Sequence, residues 1–151
     1  MADNVASVLN DLVETSKDGE QGFTTAANDT KDPELKTTLR RHAQECARSA
    51  SDLQTLVSRL GAKPEEHGSV AGAMHRGWVN LKSAVAPRTD LAILEECERG
   101  EDVAKASYRK ALESGDLPAD IRAIVQKQNE GVIRNHDEVR ALRDQHRALQ
   151  H

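Results

Sequence analysis

Four stretches of this chain repeat apolar or small residues at alternating spacings of three and four, the period of a helix that packs along one stripe. Each runs for about 25 to 30 residues, close to 40 Å at 1.5 Å per residue. The first covers 3–28, with Val5, Leu9, Leu12, Ser16, Gly19, Phe23 and Ala26 in register. Glu20 sits beside that stripe. The second covers 33–60 and repeats Leu35, Leu39, His42, Cys46, Ser49, Leu53, Leu56 and Leu60. Asp32 is placed as its N-cap, Pro33 in its first turn and Gly61 as its stop. The third, 89–114, begins at a capping Thr89, carries Leu91, Leu94, Cys97, Glu101, Ala104, Tyr108 and Ala111, and closes at Gly115. The fourth opens at Pro118 and runs to 149 with Ile121, Val125, Gln128, Val132, His136, Val139 and Leu142 inward.

Phe23, Trp78 and Tyr108 are the only aromatic residues, which leaves little to build a β-rich core and favours helices throughout. The expected fold is all-α, one domain over residues 1–151. Short links join helices one to two and three to four, so each pair is antiparallel. The middle link is long enough to travel the length of a bundle, and within it 69–85 forms a further helical pattern with Val70, Met74, Trp78, Leu81 and Val85 on one face. One lengthwise crossover between two antiparallel pairs is the ferritin-like arrangement. The alternative is an up-down bundle with that segment packed outside as a fifth helix.

The formal net charge is −4, with both signs interspersed, so the chain shows no basic stripe of the kind nucleic acid requires. No run approaches the length and apolarity of a membrane span, and Met1 to Asn10 lacks the regions of a signal peptide. A cytoplasmic location is expected. Cys46 and Cys97 form no Cys-x-x-Cys unit and lie about 10 Å apart in helix height, so they are read as small core residues and not as a disulfide.

Counting heights from the first loop puts Glu20, His42, Glu45 and Glu101 within about 5 Å of one level, with Gln128 close by. Convergent carboxylates and imidazoles are what a metal ion in a bundle core needs. The di-iron pattern asks for Glu-x-x-His on two helices, whereas the second helix here has the reversed order His42-x-x-Glu45 and the fourth has His136. Glu98 is placed better than Glu101 to meet His136. The candidate ligands are therefore Glu20, His42, Glu45, Glu98, Glu101 and His136, for iron or another divalent ion. The competing reading is a structural polar layer, its charges paired by Arg40, Arg41 or Arg99. Tyr108 is expected as a core tyrosine with a hydrogen-bonded hydroxyl. His67 and His75 lack acidic or cysteine partners at a metal-binding spacing and are read as exposed.

The segments Leu9-Asn-Asp-Leu-Val-Glu14, Lys17-Asp-Gly-Glu-Gln-Gly-Phe23, Asp32-Pro-Glu-Leu35, Gly68-Ser-Val-Ala-Gly-Ala-Met-His-Arg-Gly-Trp78, Ile93-Leu-Glu-Glu-Cys-Glu-Arg-Gly-Glu-Asp102 and His136-Asp137 carry a family resemblance. Through them the chain resembles a bacterial ferritin-like four-helix-bundle family recorded as a domain of unknown function. That resemblance implies the ferritin-like fold and a stress-related role, with no established reaction. It points first to Glu20, Glu98, Glu101 and His136, and sets His42 apart as particular to this chain. Two functions are expected to compete: a structural or interaction protein, and a metal-binding protein with oxidase or iron-handling activity. An apolar face around Val70, Met74 and Trp78 would suit a homodimer.

Overall fold

The computed structural model describes residues 2–66 and 89–149, and all of the secondary structure among them is helical. Helix α1 spans Ala2–Asp29, α2 Pro33–Arg59, α3 Asp90–Glu113 and α4 Ala119–Leu149. These limits fall within a residue of the sequence expectation, and local chemistry marks the ends of α2 and α3. The Asp32 carboxylate accepts from the Glu34 and Leu35 amides, and Pro33 opens α2 at the one position where a missing N–H matters least. Thr89 caps α3 by accepting from the Ala92 amide at 3.1 Å. Gly61 and Gly115 follow α2 and α3 with φ of 79° and 74°, a left-handed conformation that a side chain would strain.

Helices α1 and α2 pack closely as one antiparallel pair, α3 and α4 as another, and α1 lies against α3. The first loop meets the start of α3: Asp90 accepts from the Lys31 and Asp32 amides at 3.0 and 3.1 Å. At the opposite end Asn10 bonds the backbone of Lys63 and Glu65, just past α2. Helices α2 and α3 therefore run parallel, with the end of one and the start of the other at opposite ends of the bundle. The crossover helix expected at 69–85, with Trp78 and the histidines 67 and 75, lies outside the described residues.

The apolar core is in two parts. Near the first loop Phe23, Leu35, Leu39, Ile93, Leu94 and Val139 pack together. Towards the other end Leu9, Leu12, Leu53, Val57, Tyr108, Ile121 and Val125 form the second cluster. Helix α1 is buried on two sides, since it alone contacts both α2 and α3 closely. No described helix is long and apolar enough to cross a membrane.

Candidate functional site

Between the two apolar clusters lies a polar layer contributed by all four helices. Its centre is a cavity of about 70 Å³ lined by Ser16 and Gly19 from α1, Glu45, Cys46 and Ser49 from α2, Glu101 and Tyr108 from α3, and Gln128 and Asn135 from α4. Small residues at these levels make the room, and the space suffices for several water molecules. The Tyr108 hydroxyl donates to Gln128 Oε1 at 2.9 Å, and Gln128 in turn donates to the Ser49 carbonyl at 3.4 Å. Tyr108 is thus the buried, hydrogen-bonded core tyrosine its position implied, and burial pushes its hydroxyl pKa up.

His42 is fully buried, with its ring edge-on to Phe23 at 5.1 Å between centroids. Its Nε2 hydrogen-bonds Glu138 Oε1 at 2.6 Å, and the same carboxylate takes an ion pair from Arg41. Burial lowers the His42 pKa below 6.5 despite that carboxylate. Glu138, on the rim, is resisted by partial burial, but the bonds from His42 and Arg41 outweigh it and hold its pKa low. The other ring nitrogen, Nδ1, faces Glu101 Oε2 at 4.0 Å, too far for a hydrogen bond. Glu101 is 4% exposed, and its Oε1 has no hydrogen-bond partner among the described residues. Burial, reinforced by Asp102, Glu138, Glu98 and Glu45, raises its pKa well above the usual carboxyl range.

The remaining candidates are dispersed. Glu20 does not enter the layer: it lies half-exposed on an outer groove of α1 and α2 beside Thr24 and Arg40, 3.7 Å from Lys17. Being next to the inward stripe turned it 100° away from the core. Glu45 reaches the cavity wall but accepts from Asn135 Nδ2. Glu98 pairs with Arg143, and His136 turns to the α3–α4 seam, where its Nε2 bonds Asp102 Oδ1 at 2.6 Å. Asp102, not Glu98, is therefore the partner of His136. Neither Cys46 nor Cys97 forms a disulfide, and burial raises the Cys46 pKa beyond the ordinary range.

The residue that organises the layer, Glu138, was missed in the sequence, as was Asn135. Both belong to a second 3–4 stripe on α4, Gln128, Gly131, Asn135, Glu138 and Leu142, interleaved with the apolar one. Counting only one inward stripe hid it. Two further acids are buried, Asp18 and Glu96: the acidic run Glu95, Glu96, Glu98, Glu101 and Asp102 reads in sequence as a solvated face and as charge near a helix N-terminus, but Glu96 turns inward and pairs with Arg99.

A divalent ion needs three or more ligand atoms about 2 Å from one point. Among the described residues only His42 Nδ1 and Glu101 turn towards each other without firmer partners, and their 4.0 Å separation would force a wide ligand–metal–ligand angle. Among the described residues no three His, Cys, Asp or Glu side chains gather as a metal site. The layer as arranged does not fit a two-metal centre.

A four-helix bundle with parallel second and third helices and a polar level across its middle is a ferritin-like domain. The chain belongs to the family described as Domain of unknown function (DUF2383), whose model matches residues 4–114. Solved structures that share the fold include two from one organism. A point mutant of Dps1 from Mycobacterium smegmatis superposes with a TM-score of 0.78 at 17% identity, covering 93% of this chain and 95% of that one. Dps from Mycobacterium smegmatis in a tetragonal crystal form gives 0.76 at 16% identity, covering 93% and 86%. No curated protein matches the sequence.

Proposed function

We propose that this protein is a cytoplasmic structural or interaction protein that works without a bound metal, its polar layer fixing how the two helical hairpins dock. The observation that carries this reading is where the layer's bonds run. Helices α2 and α4 have little close backbone contact, yet His42–Glu138, Arg41–Glu138, Glu45–Asn135 and Ser49–Gln128 all join them. Partly buried polar pairs such as His42–Glu138 serve register better than net stability, since each must offset its own desolvation. The domain would then act through its surface, with assembly into a homo-oligomer the simplest form.

The second reading is a divalent-metal role, with iron first among the ions, centred on Glu101 and His42. It is favoured by one feature, the absence among the described residues of hydrogen-bond partners at Glu101 Oε1 and His42 Nδ1. Thermal melting of wild type and Glu101→Gln with EDTA, Fe(II), Mn(II) or Zn(II) separates the two. The structural reading expects no ion to raise the wild-type Tm. A saturable rise of several degrees that Glu101→Gln abolishes would reject it in favour of the metal.

A further inference from the structure

The seam where α2 and α4 diverge opens to solvent as a groove of about 580 Å³, within the size range of small-molecule sites. It shares Glu45, Ser49, Gln128 and Gly131 with the central cavity, so the cavity opens into its floor. In a chain of net charge −4 this groove collects four cations, Arg48 and Arg59 from α2 with Lys127 and Arg134 from α4. All four are exposed, and none has an ion-pair partner among the described residues. Elsewhere Arg41, Arg99, Arg143 and Arg147 are paired, whereas Arg40, Arg109, Arg122 and Arg140 have no ion-pair partner among the described residues. Among the described residues only Glu45 and Asp52 oppose them in the groove, and Glu45 is already bonded by Asn135. The segment 67–88 contributes Arg76, Lys82 and Arg88 and not one carboxylate, so it supplies no neutralising charge.

We propose that this groove binds a small, multiply charged oxyanion of the phosphate type, held at the mouth of the cavity by Arg48, Lys127 and Arg134. The Ser49–Gln128 and Glu45–Asn135 bonds fix the antiparallel register of the two helices. By that register the three cations span about 10 Å along the groove, at the level of the cavity mouth. That reach suits a chain of two or three phosphate groups better than a single one. Guanidinium groups bind such oxygens through paired N–H donors, and Ser49, Thr55 and Gln128 add hydroxyl and amide groups to the lining. Among the described residues no aromatic side chain lines the groove, so none of them stacks a nucleobase. The site reads the phosphate chain. The inference stands apart from the metal question, since none of these cations touches Glu101 or His42.

Isothermal titration of the full chain in metal-free buffer at physiological salt tests it, with pyrophosphate, tripolyphosphate, inorganic phosphate and sulfate as ligands. The expected result is one saturable site that prefers the two longer phosphates. Arg48→Ala and Arg134→Ala should each weaken binding about tenfold, the loss of one charge-assisted contact. Asp52→Asn should tighten it. The paired change Lys105→Ala and Arg109→Ala, in the separate groove between α3 and α4, should leave it unchanged. Melting curves confirm that each variant folds, and Lys127→Gln gives a second reading if an arginine variant does not. A nucleoside diphosphate that binds like pyrophosphate assigns the site to phosphate esters, and one that binds far more weakly assigns it to free oligophosphate. Either supports the site. No binding, equal loss on substituting the α3 cations, or binding to long nucleic acid alone would overturn it.

Discussion

At the level of single residues, the layer holds groups whose protonation couples to folding in opposite directions. Glu101 has its folded pKa raised, so its contribution is complete below about 4.5 and is lost as pH rises through the folded value. Glu101→Gln removes that loss while keeping the shape. The variant should gain on the order of 1 kcal/mol over wild type at pH 8, and less at pH 5, by thermal melting at both. An equal destabilisation at the two pH values would show that the carboxylate is a needed partner. His42 and Glu138 both have lowered pKa values. The His42 contribution is complete above about 6.5 and is lost as pH falls towards its folded value; that of Glu138 is present above about 4.5 and lost below. Glu138→Gln keeps an acceptor for His42 Nε2, so it should soften the fall in Tm below pH 5 without steepening the alkaline side. A steeper acid limb would refute that assignment.

At the level of elements, α1 and α2 approach closely at Gly19. A Cβ there would sit 2.9 Å from the Cys46 sulfur, which must then rotate away. Alanine also favours a helix over glycine by about 1 kcal/mol, so the two effects oppose. Gly19→Ala should therefore stabilise a Cys46→Ala background and be less favourable by about 1 kcal/mol in wild type, as measured in a double-mutant cycle. Additive effects would mean the sulfur moves freely. The link between the first loop and α3 rests on Asp90, which takes two backbone amides at once. Asp90→Ala should lower stability by about 1 to 2 kcal/mol in urea melts, with an unchanged denaturant slope. No change would place the docking of the hairpins elsewhere.

Over the whole molecule, burial is uneven. Helix α1 is enclosed by α2 and α3, whereas α4 presents Ile124, Ile133 and most of its charged side to solvent. Amides of α1 from Leu9 to Val13 should exchange most slowly and those along the α2–α4 seam sooner, because that seam is joined by polar bonds over a groove. Uniform protection measured by hydrogen exchange would contradict the division of the core into two clusters. Both cysteines should titrate with a thiol reagent after unfolding without reductant, since neither Cys46 nor Cys97 forms a disulfide.

The sequence by itself determined the helices, their ends and their directions, because capping groups, glycine stops and the 3–4 period act over a few residues. Asp32, Thr89, Gly61 and Gly115 each perform the task their position implied. It also located the polar level correctly, since height along a helix follows from counting residues. Tertiary structure decided which way each polar group turned. A step of one residue rotates a side chain by about 100°, so Glu20 beside the stripe went to the outside while Glu138, on a second stripe, became the partner of His42. Whether a carboxylate becomes a ligand, an ion pair or a buried acid depends on what the facing helices bring to the same point. Asn135, Asp102 and Arg143 occupy Glu45, His136 and Glu98 from helices remote in the chain, and no local pattern in the sequence encodes those meetings.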